Sequence, residues 1–393
     1  MTQFIPEIRL MLHTSLQEAE HDWRQLNNAT HGNPYQSFDW LNAWYETIGR
    51  KLDIEPVIAV ARTDEKSVLV LPLAKQQISG VTTLEFLGHQ NGNQNTGIWD
   101  AEYYETVAQN QITALLEDIG RKAKADLVLL QNVPETWHAR LHPLVLAGAT
   151  PSPSPIFTRV LASDFDQLFR ETHSKSSRKN LTRKQRHLQS ADGYRVVQAS
   201  SEEDLRRGFE AFLEQRSRRA VEAGIPNAFS EPAARDFLSR LLGLGAAGED
   251  PEKRFMDLWY LEVAGAIRST YLCVENADTI FAYSNSVAHD DMLPNSPGLV
   301  LIKEIIENAC ARQDIKLLDL GLGEERYKTA WADPVPLKDS RLAFSAKGRV
   351  IEHLYALRSG IKTAIRNSKL LWPLVRKLRK FKAGLGASAH KSD

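Results

Sequence analysis

Polar residues that could support acid–base chemistry follow an apolar run in the C-terminal third of the chain. The run at 315–320 contains Asp319, and the segment after it passes through two glycines to Glu324, Tyr327 and Lys328. Glu324 could act as a general base, Tyr327 as an acid, and Lys328 as a cation that stabilises an oxyanion. An ordinary polar loop with a structural Asp319 fits the same residues, so both interpretations stay open at this point.

A strand and its connection precede this loop. The apolar run 279–287 ends in Ser286 and Val287, and His289 follows it. A strand that separates from its neighbour leaves backbone groups that can bond an extended ligand, so we expect Ser286 and Val287 to contact one. His289 could be a base or a substrate contact, although most such histidines are polar loop residues.

The next segment has the composition of a helix start that binds anions. A helix is predicted over 297–312, with Ser296 as its N-cap and Pro297 at its first position. Gly298 lets a phosphate approach the backbone, and the helix dipole attracts it. We therefore predict anion binding by Ser296, Pro297, Gly298 and Leu299.

The first half of the chain predicts an α/β arrangement. Its elements are a helix, three strands, a helix and a buried strand, at residues 37–48, 56–62, 68–73, 83–88, 101–122 and 126–131. Ser37 is a plausible N-cap of the first helix. Pro72 lies within the second strand and predicts an edge position or a bulge there.

The second half repeats this order. Its elements are two helices, three strands, a helix and a buried strand, at residues 203–219, 231–244, 254–263, 266–275, 279–287, 297–312 and 315–320. The repetition indicates an old duplication of one α/β domain. The expected fold class is α/β of the α+β type, with two tandem domains that each have a mixed, mostly antiparallel sheet flanked by helices.

Composition divides the chain into four predicted segments. They are an N-terminal domain, a basic linker helix region, a C-terminal domain and a basic amphipathic tail, at residues 1–155, 156–200, 201–350 and 351–393. The N-terminal domain lacks a helix-opening glycine comparable to Gly298. It is therefore interpreted as a degenerate copy, in which the polar stretch 91–97 could line an acceptor cleft.

Four motifs in this order resemble a known family. Asp290, the Ser-Pro-Gly at 296–298 and the Asp-x-Gly-x-Gly-x-x-x-Tyr-Lys-x-x-Trp pattern at 319–331 resemble the FemAB-like and CelD-like branch of the GNAT acyltransferase superfamily. A basic helix at 178–188 is similar to one that precedes the C-terminal half in that branch. The resemblance covers about 35–350. Similar N-terminal motifs lie at residues 38–44, 71–73 and 86–88.

The resemblance implies tandem GNAT domains and direct transfer of an acyl group from acyl-CoA to an amine or hydroxyl, without a covalent acyl-enzyme. Bacterial relatives are often linked to exopolysaccharide, cellulose or envelope synthesis, which implies a sugar or envelope precursor as acceptor. The sequence departs from standard GNAT enzymes because residues 295–298 replace the usual Arg/Gln-x-x-Gly-x-Gly/Ala loop. This departure leaves two alternatives open. One is a Fem-type ligase that uses aminoacyl-tRNA, and the other is a non-catalytic scaffold for polysaccharide synthesis.

Two basic segments stand out against a net charge of zero. Residues 175–186 contain six cations in twelve positions. Arg178 and Lys179 could contact the CoA 3′-phosphate there, but tRNA, an anionic glycan or a solvated helix face are equally open. Residues 353–382 contain nine Lys or Arg and no acid. The amphipathic stretch 352–382 could contact an anionic membrane or dock on the acidic body of the protein.

The remaining composition indicates a cytoplasmic protein, with contact at the inner face of the membrane as an open alternative. Cys273 and Cys310 lie in apolar runs and are expected to be buried free thiols. We recognise neither a signal peptide nor an apolar run near the ~20 residues that span a bilayer. His138 and His142 have no third ligand nearby, so no metal is expected, and no DNA contact is expected.

Overall fold

The computed structural model describes residues 8–29, 33–245 and 254–367. The chain forms two compact units. Of the described residues, unit 1 comprises 8–29, 33–156, 322–324 and 334–362. Unit 2 comprises 157–245, 254–321, 325–333 and 363–367.

The first part of the chain supplies most of unit 1. Its strands are β1 Arg9–His13, β2 Glu55–Arg62, β3 Ser67–Ile78, β4 Val81–Phe86, β5 Ile98–Trp99, β6 Leu127–Pro134, β7 Thr136–Trp137, β8 Arg140–Leu141 and β9 Thr150–Pro151. Its helices are α1 Leu16–Ala29, α2 Phe38–Trp44, α3 Ala101–Thr106 and α4 Gln109–Lys122.

The middle of the chain forms unit 2, and the chain then returns to unit 1. The strands that follow are β10 Ile156–Val160, β11 Arg195–Gln198, β12 Asp257–Val263, β13 Ala266–Asn276, β14 Thr279–Val287, β15 Leu317–Leu322, β16 Asp333–Val335 and β17 Leu337–Ala343. The helices are α5 Phe165–Thr172, α6 Lys175–Gln189, α7 Glu202–Ala223, α8 Pro232–Leu241, α9 Pro297–Ala311, α10 Lys328–Trp331 and α11 Ala346–Asn367.

Unit 1 is built on a mixed sheet in the order β1-β2-β3-β4-β6-β17-β9, with β5 paired to β3. Strands β1 to β4 are antiparallel, whereas β4 and β6 run parallel. Helix α4 buries Ile112, Leu116 and Ile119 in the core of this unit. Their spacing of four and three residues puts them on one face of the helix, which explains why this segment is helical and why it packs on the sheet.

Pro72 lies inside the sheet, so the predicted edge or bulge is wrong. It faces Ile58 of β2 in a regular antiparallel register. On its other side, β3 pairs with β5 up to Val70 and with β4 from Leu73 onward. The N and C=O of one strand residue point to the same side, and the Pro72 C=O accepts from Leu87 N at 3.0 Å on that side. The missing N–H therefore falls where β3 changes partner.

Unit 2 is built on a second mixed sheet, in the order β11-β12-β13-β14-β15-β10-β16. Strands β12, β13 and β14 are antiparallel, and β14 and β15 run parallel. Ala264 and Gly265 join β12 to β13 with φ of 53° and 72°, which is the left-handed pair that a tight hairpin needs. Helix α9 buries its apolar residues in the core beneath β12 and β13; they include Val300, Leu301, Ile302, Ile305 and Ile306.

Each sheet contains a strand that local sequence patterns did not predict there. In unit 1, β17 pairs with β6 and β9, although it follows β6 by about 200 residues of chain. In unit 2, β10 lies between β15 and β16. In both units, three antiparallel strands are followed by a helix and then by a strand that runs parallel to the last of the three, as predicted. The spatial order of these strands is the same in the two sheets: β2-β3-β4-β6 in unit 1 and β12-β13-β14-β15 in unit 2.

Most predicted elements are confirmed, with changes at their ends. The helix predicted over 37–48 is α2, and Ser37 caps it by accepting from Trp40 N at 3.3 Å. The helix predicted over 101–122 is two helices, because Val107 and Ala108 adopt extended conformations. Cys273 and Cys310 are buried free thiols.

Residues 94–97 of the polar stretch 91–97 lie in the interior of unit 1, and residues 91–93 are partly buried. Gln94, Asn95 and Thr96 are buried there and bonded within the unit, so these three side chains line no open cleft. In the C-terminal basic segment, α11 covers the part up to Asn367. Residues 368–382 lie outside the described part.

Candidate functional site

A fork between β14 and β15 is the centre of the candidate site. The two parallel strands pair over three residues, from Thr279 with Leu317 to Phe281 with Asp319. Beyond these pairs, the described edge of β14 from Ala282 to Val287 has no ladder with β15. The register between β13 and β14 also shifts opposite Ala282, which leaves one extra residue in β14 and bends the strand there.

Helix α9 begins at the open end of this fork. Ser296 is its N-cap residue, but the predicted side-chain cap is wrong. Ser296 adopts a left-handed conformation (φ 51°, ψ 58°), and its side chain makes no capping bond. Its Oγ instead accepts from Lys184 Nζ of α6 at 2.7 Å. A cation thus lies next to the helix start, where the dipole attracts anions.

Gly298 carries a donor of the first turn that the protein itself leaves unused. Leu299 N and Val300 N both donate to Ser296 O, at 2.9 and 3.2 Å, and Pro297 has no N–H. Within the described residues, Gly298 N has no hydrogen-bond partner. A Cβ on Gly298 would lie 2.7 Å from Val287 Cγ2, so the helix start and the end of β14 are in close contact. Only glycine fits this approach without a shift.

A cavity of about 330 Å³ opens beside Gly298. It is lined by residues from α7, β13, β14, the start of α9 and the segment after β15: Arg219, Tyr271, Asn285, Val287, His289, Leu293, Ser296, Gly298, Leu299, Glu325 and Tyr327. The cavity therefore brings together six of the predicted site residues, namely Val287, His289, Ser296, Gly298, Leu299 and Tyr327.

Two tyrosines and an asparagine form a hydrogen-bonded group in this cavity. Asn285 Nδ2 donates to Tyr271 Oη at 2.8 Å and to Tyr327 Oη at 3.2 Å. The Tyr271 and Tyr327 side chains lie close enough for each to influence the pKa of the other. Burial, followed by the nearby Glu325 carboxylate, raises the pKa of Tyr327. The Tyr327 hydroxyl consequently stays protonated at neutral pH and is a proton donor held in a fixed position.

The acidic side chain in the cavity is Glu325. Glu324 groups with unit 1, is exposed, and is not among the residues that line the cavity. Glu325 is exposed in the wall and lies close enough to Tyr327 to influence its pKa. Of the two adjacent carboxylates, Glu324 and Glu325, the structure places Glu325 at the tyrosine.

Lys328 and Asp319 are buried and do not line this cavity. Lys328 is 5% exposed and Asp319 is 2% exposed. Burial lowers the pKa of Lys328, while the Glu325 and Asp319 carboxylates oppose that change. Asp319 Oδ1 accepts from Gly321 N at 2.6 Å, which holds the turn after β15. These contacts give both residues a part in shaping the loop that carries Tyr327.

A second cavity, of about 580 Å³, lies on the α6 side. It is lined by His173, Ser177, Asn180, Leu181, Lys184, Leu299, Glu325, Arg326, Tyr327, Ala330 and Trp331. Leu299, Glu325 and Tyr327 belong to both cavities, so the two meet at the tyrosine.

The four remaining predicted residues do not line either cavity. Arg178 donates to the carbonyl oxygen of His173 at 2.5 Å, at the end of α5. Lys179 is exposed on α6 and lines neither cavity. Ser286 is buried, and its Oγ bonds Gln215 Oε1 and Thr270 Oγ1, each at 2.7 Å. Its side chain is therefore part of the packing between α7 and the sheet, and Pro297 is buried at the start of α9.

Sequence reasoning missed four residues of the site. Lys184 was part of the basic run, but nothing in the run distinguished it from Arg178 or Lys179. Tyr271 and Asn285 lie in predicted strands, where alternation gives the face but not the partner. Arg219 lies on a helix with several arginines. The useful signal for Lys184 is its position seven residues after Ser177, which puts both on one helix face.

Comparison with known proteins agrees with this geometry. Residues 175–329 match a family model described as an acetyltransferase (GNAT) domain. The crystal structure of FemX has a TM-score of 0.58 with 11% identity, covering 88% of this chain and 99% of that one. A conserved protein of unknown function from Bacteroides thetaiotaomicron has a TM-score of 0.53 with 11% identity, covering 86% and 100%. At this identity the likeness concerns the fold.

A search of curated proteins finds no match to the sequence. None of the helices in the described ranges is long and apolar enough to cross a membrane. In the same ranges, no three His, Cys, Asp or Glu side chains are grouped so that they could hold a metal ion. The chain therefore contains a GNAT acetyltransferase domain at residues 175–329, within a FemX-like fold of two α/β units.

Proposed function

We propose that the chain transfers an acyl group from acyl-CoA to an amine or hydroxyl by direct attack. One observation supports this most strongly. The free Gly298 N–H, the open edge of β14 and the Tyr327 hydroxyl all border one cavity of the GNAT domain. A phosphorylated thioester donor needs these three features together.

The donor would use the two sides of the fork. Its phosphates meet the first turn of α9, where Gly298 N–H and the Lys184 ammonium provide donors and positive charge. Its extended arm follows the open edge of β14, whose backbone groups can bond amides. The thioester then lies near Tyr327, where the two cavities meet.

The reaction follows from the groups around Tyr327. The lone pair of the acceptor amine or hydroxyl attacks the thioester carbonyl carbon, and the carbon–sulfur bond breaks as the tetrahedral intermediate collapses. The departing thiolate takes the proton of Tyr327, which recovers one from solvent. The proton of the acceptor passes to the Glu325 carboxylate, directly or through water. No covalent acyl-enzyme forms.

Calorimetric titration with acetyl-CoA tests this proposal. We expect one site per chain with a dissociation constant below a millimolar concentration. An absence of binding at millimolar donor would contradict the proposal. Mass spectrometry of the purified protein for bound CoA species is an independent check, since a tightly bound donor survives purification.

The resemblance to the FemAB-like and CelD-like branch supports a sugar or an envelope or exopolysaccharide precursor as the acceptor. An acetyl-CoA assay that measures thiol release with amino sugars and their polymers tests this class. Transfer to none of them, in a protein that binds acetyl-CoA, would contradict it.

A Fem-type ligase that uses aminoacyl-tRNA is the second candidate function. The likeness to FemX and the six cations of residues 175–186 favour it. It requires tRNA binding that weakens steeply with salt. A filter-binding titration between 50 and 200 mM salt distinguishes it from the acyl-CoA proposal, because a CoA-dependent enzyme has no such tRNA affinity. A non-catalytic scaffold would instead bind neither donor.

We also propose that α11 contacts an anionic membrane surface. Val350, Leu354 and Leu357 lie on one face of this helix and are 60%, 54% and 62% exposed. The sequence that follows is rich in cations and lacks acids up to residue 382. Flotation with vesicles of phosphatidylcholine, with and without phosphatidylglycerol, tests the contact. Leu354→Asp should abolish binding to anionic vesicles, whereas Leu52→Asp, at another exposed leucine, should leave it unchanged.

A further inference from the structure

Helix α7 carries five arginines that differ in their partners. Three have a carboxylate: Arg206 bonds Glu202, Arg207 bonds Glu262 and Arg218 bonds Glu222, at 2.6, 2.7 and 2.9 Å. In the part of the chain that the structure describes, the other two, Arg216 and Arg219, form no ion pair. Arg216 and Arg219 therefore differ from the other three arginines of α7, because each lacks a carboxylate partner among the described residues.

Arg216 and Arg219 are the arginines of α7 that approach the reaction cavity. Arg219 lines the cavity together with Glu325 and Tyr327, and its charge influences the pKa of Tyr327. Arg216 lies one turn earlier on the helix and reaches Asn285 O at 3.5 Å. Its guanidinium stands over the Phe229 ring, 5.5 Å from the centroid. Both cations therefore lie near Asn285, the β14 residue that is hydrogen-bonded to Tyr327.

Burial without a counter-charge is costly for Arg216. Burial, followed by repulsion from Arg219, lowers the pKa of the Arg216 guanidinium, which Glu325 only partly offsets. A guanidinium pair with unused donors attracts carboxylate or phosphate, whose two oxygens match the geometry of its N–H groups. An anionic ligand in the cavity would supply the missing charge.

The elements proposed to hold the donor approach from the other face of the sheet. Along β12, Trp259 and Leu261 belong to the core under α9. Leu258 and Tyr260 instead pack against α7 at Gly208. Successive strand residues point to opposite faces, so α7 and α9 cover opposite faces. Lys184 lies on α6 and Gly298 on α9, whereas Arg219 lies on α7, which covers the opposite face of the sheet from α9.

We propose that Arg219, with Arg216 behind it, binds a carboxylate or phosphate group of the acceptor. The assignment rests on the proposed acyl transfer and deepens it, because it names the acceptor as an anionic amine or alcohol. Arg219 contacts the acceptor anion and sets its position relative to Tyr327. Arg216 holds β14 at Asn285 and adds positive charge to the same site.

Binding measurements test this assignment without turnover. The probes are inorganic phosphate and two matched pairs, glucosamine 6-phosphate with glucosamine and alanine with alaninamide. The wild-type chain should bind at least one anionic probe about tenfold tighter than its uncharged partner at constant ionic strength. Arg219→Gln should remove that preference. Arg206→Gln, at a surface pair of the same helix, should retain it.

Titration of the same variants with acetyl-CoA distinguishes an effect on acceptor binding from an effect on donor binding. Arg219→Gln should bind acetyl-CoA within about twofold of wild type. If Arg219→Gln lost acetyl-CoA affinity and anion affinity equally, the assignment would be overturned, because Arg219 would then bind the donor phosphates. A wild-type chain with no preference for any anionic probe would also overturn it. Failure of the wild type to bind acetyl-CoA contradicts the acyl-transfer proposal instead, and the anion preference remains measurable in its absence.

Discussion

The two units contain the same fork, and they differ in what lies inside it. In unit 1, β4 and β6 pair from Thr83–Leu127 to Glu85–Leu129, and in unit 2 β14 and β15 pair over an equal length. The unit 2 fork borders a cavity. In unit 1, the loop after β4 fills the corresponding space. Asn95 N donates to Asn132 O at 3.0 Å and Asn95 Nδ2 to Gln131 O at 2.8 Å.

Buried polar groups hold this loop in place. Gln36 Oε1 accepts from Thr96 N at 2.7 Å and also from Gly97 N. The N–H at the start of the following helix, α4, also has a partner within the protein, since Ala108 N donates to Gln111 Oε1 at 2.8 Å. In unit 2, Gly298 N is left for a ligand. A fork can thus become a binding site when the chain does not satisfy its own open edge.

The largest effect is expected from removing the proton donor of the open fork. Tyr327→Phe should lower kcat about 10²- to 10³-fold with little change in acetyl-CoA affinity, because the phenol acts in the transition state and not in donor binding. Thiol release from acetyl-CoA measures the rate, and calorimetry measures the affinity.

The matched control is a buried tyrosine of unit 1. Tyr104 donates to Trp137 O at 2.9 Å. Tyr104→Phe should leave kcat within about twofold, although the lost hydrogen bond costs about 1 kcal/mol of stability. Equal loss of activity in both variants would show that the two units do not differ in function.

Mutation of the unit 1 fork, which the loop after β4 fills, should lower the stability of the protein. Gln36→Ala leaves the buried N–H groups of Thr96 and Gly97 without their acceptor, so the free energy of unfolding should fall by about 2–4 kcal/mol. Urea denaturation measures it. Gln77→Ala, at an exposed side chain of β3, should change it by less than about 0.5 kcal/mol. Acetyl-CoA should still bind at one site per chain, and a second site would reveal a latent donor site in unit 1.

Glu85 gives the unit 1 fork a pH dependence. It occupies the last paired position of β4 and is 5% exposed, and burial raises its pKa to about 7. The folded state therefore binds this proton more tightly than the unfolded state, whose carboxyl has its ordinary value. Stability from this group is present below pH 4.5 and is lost as pH rises toward 7, by at most about 3 kcal/mol.

The difference in unfolding free energy between wild type and Glu85→Gln isolates this effect, since other carboxylates contribute equally to both. Wild type should lose stability relative to the variant between pH 4.5 and 7. A flat difference over that range would mean that Glu85 is ionised without penalty.

The smallest effect is expected at the helix start of the open fork. Gly298→Ala places a Cβ 2.7 Å from Val287 Cγ2 and displaces the N–H that meets the donor. Acetyl-CoA affinity should fall about tenfold by calorimetry. Val287→Ala in the same chain makes room and should restore part of the affinity. An unchanged affinity in the single variant would remove Gly298 from the donor site.

Local patterns predicted those parts of the fold that depend on neighbours in sequence. The Ser-Pro-Gly helix start indicated α9, and the apolar runs indicated β12 to β14. They did not predict β17 in unit 1, because its pairing with β6 spans about 200 residues of chain. Pro72 was misplaced for a similar reason, since the change of partner along β3 is a tertiary feature.

The site was predictable at the level of segments and less so for atoms. The helix start at Gly298 and the loop with Tyr327 were identified from composition. The left-handed conformation of Ser296 was not predicted, because its side chain accepts a hydrogen bond from Lys184, which lies 112 residues earlier in the chain. Whether Arg219 lacked a carboxylate depended on which acids the fold brings near it, and no spacing along α7 carries that information.

The return of β17 to the first sheet has a consequence for synthesis. During translation, the N-terminal unit emerges from the ribosome with the edge of β6 unpaired, and the strand that covers it appears only after residue 337. That edge must stay exposed, or shielded by a chaperone, while nearly 200 further residues are made. A gene fragment that ends at the first unit should accordingly aggregate, even though it encodes most of that unit's apolar core.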